Sequence, residues 1–324
     1  MGLLQLHGQR KVIGWQTLIG RCTISCFSVL ITQSALFLVP LFFAASPILI
    51  QLTISALVFL AVVGFGGWCR RLHGFHASAP AFVFFNVFFF WGVYIAIVRQ
   101  AISRFVDIVL NIEMIMLIIG LFRIMVKDPG FVAQESVCLD KLDESSVLGV
   151  QTNNESSWCF LSQSSLLQMR VRYCKSCKTY VQGFDHHCPA FGNCIGQKNY
   201  VFFMVLLVGF ITTETFYAVC SSQFATKFPV LEGNMLETNP ISVIARSTLL
   251  FSLLQVLWQG LFLIWHVYCI CFNIRTEEWV NWKKYPEFQL NASSLPGENY
   301  HELRFTNPYD KGILQNVKEF LTLK

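Results

Sequence analysis

The feature that most constrains this chain is a set of six apolar runs, each about 20 residues long and carrying few or no charges. A helix of that length crosses a hydrocarbon core of roughly 30 Å. The runs cover residues 24–45, 48–68, 79–98, 108–126, 200–222 and 248–272. The chain is 54% apolar and 13% charged, whereas soluble proteins carry about 25% charged residues. We therefore expect an all-α integral membrane protein with six transmembrane helices.

The distribution of basic residues predicts how these helices are oriented. The net charge of +5 is too small and too diluted to indicate a nucleic-acid partner. It fits Lys and Arg facing the cytosol. Arg70 and Arg71 follow the second run and predict a cytosolic loop, whereas Arg99 and Arg104 lie in a loop that must then be luminal. We give the first pair more weight and expect both termini in the cytosol.

A cluster of cysteines and histidines lies between the fourth and fifth runs. Cys174 and Cys177 form a C-x2-C pair, and His187 and Cys194 follow within reach of a small loop. Three thiolates and one imidazole suit a closed tetrahedral structural zinc site. A C-x2-C pair alone could be a redox pair, but its closeness to His187 and Cys194 favours one zinc ion. The cluster is therefore expected to be reduced and cytosolic.

Two residues of the cluster, a thiol and an imidazole, are not needed as ligands once that zinc site is filled. In the run Asp185-His186-His187-Cys188, the thiol of Cys188 and the imidazole of His186 are left over beside a carboxylate. A thiol next to an imidazole that is itself next to a carboxylate is typical of an activated nucleophile. The alternative is that Cys188 is a redundant fifth zinc ligand.

Four motifs in order resemble the DHHC protein S-acyltransferases, integral membrane enzymes that attach fatty acids to protein cysteines. The central one is D-H-H-C at 185–188, followed by P-x3-N-C-I-G-x2-N-Y-x-F-F. The other three are Asp128-Pro129-Gly130, then His266 and Asn273 followed by Arg275-Thr276-Glu277-Glu278, and finally Asn307-Pro308-Tyr309-Asp310-x-Gly312-x3-Asn316-x3-Phe320. The resemblance covers the chain from Lys127 to its end. Arg275 replaces the first Thr of the family's T-T-x-E.

The resemblance implies a transfer of a long-chain acyl group, with palmitoyl expected, from acyl-CoA to cysteines of proteins. Cys188 would be the nucleophile that carries the acyl group, His186 its general base, and Asp185 the group that orients the imidazole. His187 would serve as a zinc ligand rather than a base. The partners implied are palmitoyl-CoA, protein substrates with membrane-proximal cysteines, and the lipid bilayer.

Two departures from the family concern the surroundings of these residues. The four ligands of a second family zinc site are replaced together, by Phe160, Gln163, Tyr173 and Tyr180. This predicts a single zinc, with Tyr173, Tyr180 and Phe184 packing where a metal is lost. Ala190 stands where the family has Trp after D-H-H-C-P, which puts chain-length preference and rate in question.

Two other functions compete with the enzyme. A zinc-stabilised membrane scaffold derived from the family could have lost catalysis together with one zinc site and the Trp. The intact Asp185-to-Cys188 run argues against this, because a scaffold needs no unligated thiol beside a histidine. A transporter using Glu214 and His266 within the runs is disfavoured, since neither residue explains the cysteine cluster.

The expected organisation places the catalytic segment between two groups of helices, in an endomembrane (Golgi or ER) or plasma membrane. It comprises a cytosolic N-terminus (1–23), four transmembrane helices (24–126), a cytosolic linker of low order (127–172), the cysteine-rich domain (173–199), two transmembrane helices (200–272) and a cytosolic tail (273–324). Two further predictions stay open between alternatives. Arg170, Arg172, Lys175 and Lys178 either contact the phosphates of CoA or form a solvated surface. Cys269 and Cys271 are either acylated or ordinary packing residues.

Overall fold

The computed structural model describes residues 15–74, 77–132, 170–230, 239–291 and 303–322. The described chain is mostly helical. Eight α-helices follow one another in it: α1 Trp15–Phe42, α2 Ile48–His73, α3 Ala79–Ala96, α4 Arg104–Val126, α5 Tyr200–Lys227, α6 Pro240–Cys271, α7 Thr276–Asn281 and α8 Ile313–Thr322. Six of them, α1 to α6, are long and apolar enough to cross a membrane.

The long helices extend beyond the apolar runs in places, because a helix does not end where hydropathy falls. Helix α1 begins at Trp15 and includes Arg21, ahead of the apolar run. Helix α6 begins at Pro240, where the side chain of Asn239 accepts a hydrogen bond from the Ile241 amide at 3.0 Å. An N-cap followed by Pro is a start signal that hydropathy alone does not register.

Helices α1 and α2 contact each other as an N-terminal hairpin, which packs onto the other long helices. Helix α1 contacts α3 and α6, and α2 contacts α6. The Ser25 hydroxyl and the Ser78 amide at the N-terminus of α3 are hydrogen bonded at 2.8 Å. Gln33 donates to Asn86 Oδ1 at 3.1 Å. These polar contacts fix the depth of α1 against α3.

Short antiparallel strands carry the cysteine cluster. Strands β1 Phe131–Val132, β2 Val171–Cys174 and β3 Thr179–Gln182 form one sheet in the order β1-β3-β2. Strands β4 His186–Cys188 and β5 Asn193–Ile195 form a separate hairpin. The predicted linker is therefore ordered at its two ends, while residues 133–169 lie outside the described residues.

The C-terminal segment folds back against this cluster. Strands β6 Gln289–Asn291 and β7 Leu303–Phe305 pair with each other, and helix α8 follows them. The Phe320 ring on α8 meets the ring of Tyr200 edge-on at 5.2 Å between centroids. The tail thereby closes the end of the bundle from which α5 starts.

Candidate active site and metal centre

The four predicted zinc ligands converge on one point. The Nδ1 atom of His187 lies 3.8, 3.4 and 3.6 Å from the Sγ atoms of Cys174, Cys177 and Cys194, and the Sγ atoms of Cys177 and Cys194 are 3.4 Å apart. All four ligand atoms lie within 4.8 Å of one another. Ligands about 2.3 Å from a tetrahedral zinc are separated by roughly 3.8 Å. The donor set and its spacing therefore fit one structural zinc ion.

Strand pairing brings these ligands together. In the β4–β5 hairpin His187 is directly opposite Cys194, while Cys174 ends β2 and Cys177 lies in the turn before β3. Gly196 lets this unit approach the Asp128-Pro129-Gly130 segment. A Cβ at position 196 would lie 2.5 Å from the Pro129 carbonyl oxygen, closer than real contacts allow. Only glycine fits that position without a shift of the backbone.

The alternation of a β-strand separates the two chemistries of the Asp185–Cys188 run. Successive side chains of a strand point to opposite faces. His187 therefore faces the cysteines, whereas His186 and Cys188 share the other face of β4. This face packs on the helices, and Cys188 is buried in an apolar cluster with Phe191 and Phe203.

Asp185 is fully buried and held by three elements. Its Oδ2 accepts from His186 Nδ1 at 2.7 Å, and its Oδ1 accepts from the Thr276 amide at 2.9 Å. Its backbone oxygen accepts from the Glu277 amide at 3.0 Å, and its amide donates to the Ile195 carbonyl at 2.9 Å. Burial alone would raise the pKa of this carboxyl, but the bond from His186, the histidine charges and the Thr276 amide lower it to about 2. Asp185 is thus a fixed carboxylate.

His186 is oriented by that carboxylate. Burial opposes the charged ring, but the hydrogen bond to Asp185 and the adjacent Cys188 thiol raise the pKa of His186 to about 9. With Nδ1 bound to Asp185, Nε2 is buried and has no hydrogen bond of good geometry within the described part of the chain. The free nitrogen is therefore the one available to Cys188.

His266 and Tyr200 form a second layer that the sequence did not assign in detail. The Tyr200 hydroxyl and His266 Nδ1 are hydrogen bonded at 2.8 Å, and that nitrogen lies 4.0 Å from Asp185 Oδ2. The rings of His186 and His266 are 5.7 Å apart between centroids. Asp185, His186 and His266 form another group of potential metal ligands, but Asp185 already has its oxygens engaged by protein donors. The order H-x6-N marked His266, whereas nothing in the sequence paired it with Tyr200.

The structure corrects the reading of two basic residues. Arg170 and Arg172 are only 9% and 8% exposed, so neither belongs to a solvated surface. Arg170 donates from Nε to Glu278 Oε1 at 2.8 Å and stacks on the Tyr309 ring at 4.2 Å. Arg172 pairs with Glu287 and stacks on Tyr285 at 4.0 Å. These charges are engaged within the protein, which leaves Lys175 and Lys178 as the exposed pair.

The structure also describes the surroundings of Cys269 and Cys271, and of the aromatic residues expected to pack where a metal is lost. Cys269 is 1% exposed and packs with Ile274 and Phe288, which favours packing over acylation, while Cys271 is half-buried.

Tyr173 and Tyr180 face each other across β2 and β3, with ring centroids 5.1 Å apart. Phe184 is buried beside Cys174 and Cys194. Phe160 and Gln163 lie outside the described residues.

Tail residues complete the site by binding backbone atoms near the end of α6. The Asn316 side chain donates to the Cys271 carbonyl at 2.8 Å, and the Asn273 side chain donates to the Tyr309 carbonyl at 3.0 Å. Asn273 adopts a left-handed φ of 46°, which turns the chain toward Thr276. This turn aims the first amides of α7 at Asp185.

Comparison with known proteins finds similarity in the segment that contains the cysteine cluster. The family model described as DHHC palmitoyltransferase matches residues 152–283. Among curated relatives, the chain is 29% identical over 156 residues to "Probable protein S-acyltransferase 3" of Arabidopsis thaliana, covering 48% of this chain and 32% of that protein. It is 24% identical over 242 residues to "Palmitoyltransferase Hip14" of Drosophila melanogaster, covering 72% and 36%. It is 27% identical to human "Palmitoyltransferase ZDHHC18", covering 47% and 43%. The chain spans less than half the length of these relatives.

Proposed function

We propose that this chain is a protein-cysteine S-acyltransferase of the DHHC palmitoyltransferase family, whose model matches residues 152–283. It takes a long-chain acyl group, with palmitoyl as the expected one, from acyl-CoA and passes it to cysteine thiols of membrane-associated proteins. The observation that carries the proposal is that the buried Asp185 carboxylate fixes His186, which lies on the same strand face as Cys188. A scaffold would have no need to bury a carboxylate in order to orient an imidazole beside an unligated thiol.

In the proposed membrane arrangement, α1 to α6 span the bilayer and the cysteine-rich segment lies at the cytosolic face. The ends of α2 and α4, where Arg70, Arg71 and Arg123 lie, are at the end of the bundle that carries the cluster. Basic residues favour the cytosolic side. In the opposing loop, Arg99 pairs with Asp107 at 3.0 Å. Both termini are then cytosolic, with residues 173–199 as the catalytic segment.

The proposed zinc has a structural role. Cys174, Cys177, His187 and Cys194 supply all four ligands of a tetrahedral ion, so no position is open for substrate. The metal would fix the β4–β5 hairpin, because two of its ligands lie on opposite strands of that hairpin. One ion per chain is proposed, with the Tyr173–Tyr180 contact taking the place of a second one.

In the first step the Cys188 thiol loses its proton to His186 Nε2 and attacks the thioester carbonyl of acyl-CoA. The new C–S bond forms as the bond to the CoA sulfur breaks, and CoA leaves as a thiol that takes up the proton. Asp185 holds the imidazole by Nδ1 throughout, so that Nε2 stays directed at the sulfur. The apolar cluster of Phe191 and Phe203 around Cys188 suits the acyl chain.

In the second step a substrate cysteine attacks the thioester on Cys188. Its proton passes to His186 and then to the departing Cys188 sulfur, which restores the starting state. Because the enzyme itself carries the acyl group after CoA has left and before the protein substrate reacts, the kinetics are expected to be ping-pong. Of the four basic residues considered for the phosphates of CoA, Lys175 and Lys178 are exposed and stay available for that contact.

The test of this function is transfer to a peptide. Purified protein in lipid nanodiscs is incubated with palmitoyl-CoA and a membrane-anchored cysteine peptide, and the acylated peptide is measured by mass spectrometry. Turnover that is lost in His186→Ala, a variant that leaves all four metal ligands in place, supports the enzyme. A zinc-loaded wild-type protein that never acylates the peptide supports the scaffold instead.

A further inference from the structure

Arg275 is a buried cation at the start of α7. It is 7% exposed, and its Nε atom is buried without a hydrogen-bond partner in the described part of the chain. Glu278 accepts from the Arg275 amide at 3.0 Å, but the Glu278 carboxylate pairs with Arg170 and lies close to Arg172. Among the described residues, no carboxylate forms an ion pair with the Arg275 guanidinium. A charge buried in this way is costly, and this chain carries it at a position where the family has Thr.

The guanidinium of Arg275 lies on the face of the Tyr200 ring. Its central carbon is 4.8 Å from the ring centroid, and Tyr200 is itself 1% exposed. A cation is attracted to the negative face of an aromatic ring, but this attraction offsets only part of the cost of burying a charge. Stability alone therefore does not account for a cation at this position.

The ring under Arg275 connects the cation to His266. The Tyr200 hydroxyl and the Nδ1 atom of His266 are hydrogen bonded at 2.8 Å. A cation over the ring draws electron density from the phenol, which makes its hydroxyl a better donor and a poorer acceptor. A neutral imidazole that accepts at Nδ1 carries its proton on Nε2. Arg275 therefore favours the Nε2-protonated tautomer of His266.

The surroundings of the other nitrogen favour the same tautomer. The Nε2 atom of His266 is buried and has no hydrogen-bond partner among the described residues. The Phe262 ring stands at 85° to the imidazole, with centroids 4.5 Å apart, and the Phe203 ring is 5.0 Å away. Aromatic faces accept an N–H but repel a lone pair. A proton on Nε2 thus suits this aromatic wall.

The tautomer of His266 matters because of Asp185. The Oδ2 atom of Asp185 accepts from His186 Nδ1 at 2.7 Å, and the Nδ1 atom of His266 lies 4.0 Å from the same oxygen. If His266 carried its proton on Nδ1, that N–H would be a second donor beside this oxygen and would compete with His186. With the proton on Nε2 there is no such competition, and Oδ2 is left to His186.

We propose that Arg275 is a positioning residue for acyl transfer. It holds Tyr200 as a hydrogen-bond donor to His266, so that the carboxylate of Asp185 orients His186 alone. This role rests on the acyltransferase function proposed above, because it concerns the same site. It belongs to a residue in which this chain departs from the family, and the buried charge is retained for the reaction rather than for stability.

The kinetic experiment is acyl transfer to the cysteine peptide by the full chain in nanodiscs. Arg275→Met removes the cation and keeps a long side chain, and Tyr200→Phe removes the hydroxyl and keeps the ring. Each is expected to lower kcat by about five- to tenfold, the effect of one hydrogen bond, with the KM for palmitoyl-CoA and the zinc content unchanged. Because Arg275 acts through the Tyr200 hydroxyl, the double variant should be no slower than Tyr200→Phe alone. Arg275→Lys keeps the charge and should retain most of the rate.

Thermal unfolding separates this role from a structural one. The midpoint of Arg275→Met should equal or exceed that of the wild type, because the substitution removes a buried charge without a counter-ion. Lys283→Met is the matched control: it removes an exposed cation that lies 5.7 Å from the Trp282 ring centroid, and it should change neither the rate nor the midpoint.

The tautomer can be measured without any turnover, by solid-state ¹⁵N NMR of protein labelled at its seven histidines. The variant His266→Asn identifies the signals of His266. We expect the proton on Nε2 in the wild type and a mixture of both tautomers in Arg275→Met, and this result can be obtained in a preparation that transfers no acyl group. Three results would overturn the proposal: a proton on Nδ1 of His266 in the wild type, a wild-type kcat for Arg275→Met, or a lower midpoint of that variant together with its lower rate.

Discussion

Glu278 is a buried residue of the tail that attaches it to the cysteine-rich segment. Its side chain is 1% exposed and pairs with Arg170, accepts from the Arg275 amide at 3.0 Å and lies 3.8 Å from Arg172. Glu278→Gln keeps the volume but removes the charge, and it turns an NH2 group toward guanidinium donors. We expect this substitution to destabilise the protein, because two buried cations lose their shared anion.

The size of the effect follows from the burial. Breaking a buried ion pair by removing one partner costs about 3–5 kcal/mol. Arg170 keeps its bonds to Asn273, at 2.7 Å to Oδ1 and 3.1 Å to the carbonyl oxygen. We therefore expect the loss in unfolding free energy at the lower end of that range, about 3 kcal/mol. A loss of that size lowers the midpoint of thermal unfolding by on the order of 10 °C. The same change should slow acylation, because Glu278 holds the start of α7, whose first amides bind Asp185.

The assay is thermal unfolding of the purified protein in detergent, followed by a thiol-reactive fluorophore that reports exposure of buried cysteines. Glu319→Gln is the matched control, since Glu319 pairs with Lys311 on the surface and its loss should leave the midpoint unchanged. Replacing both partners by apolar residues, as in Arg170→Met with Glu278→Leu, should recover part of the loss. A midpoint for Glu278→Gln that equals the wild type would refute the reasoning.

Four further predictions concern the site. Asp185→Asn should lower the acylation rate by about 10²–10⁴-fold while the zinc content stays the same, as measured by metal analysis of the same preparation. Metal analysis of the wild type should give one zinc per chain, and two would contradict the proposed loss of the second site. His187→Ala should lose the zinc and fold poorly, which limited proteolysis would detect. Gly196→Ala should destabilise the fold because its Cβ would lie 2.5 Å from the Pro129 oxygen; an unchanged melting midpoint would show that the segment can move.

Much of this architecture could be predicted from local sequence. The six apolar runs located α1 to α6, because apolar length alone decides which segments can span a membrane. The gap between the first two apolar runs falls at Ser46-Pro47, and Pro47 stands immediately before α2. The spacing of cysteines and His187 located the metal cluster, since those four ligands lie close together along the chain.

What could not be predicted depends on contacts between distant parts of the chain. Arg170 and Arg172 look like surface residues in sequence, and only the return of the tail brings Glu278 and Glu287, more than 100 residues away, to bury them. The pairing of Tyr200 with His266 joins two helices in the same way. The roles of the Thr276 and Glu277 amides were also hidden, because backbone donors have no sequence signature of their own.

The central claim, that Cys188 carries the acyl group, is tested most directly by autoacylation. Wild-type protein and Cys188→Ser are incubated with an alkyne-tagged palmitoyl-CoA and no acceptor, and the label is followed before and after hydroxylamine. We expect label on the wild type that hydroxylamine releases, and none on the serine variant, whose zinc content is unchanged. Equal label on both proteins, or none on a folded, zinc-loaded wild type, would contradict it.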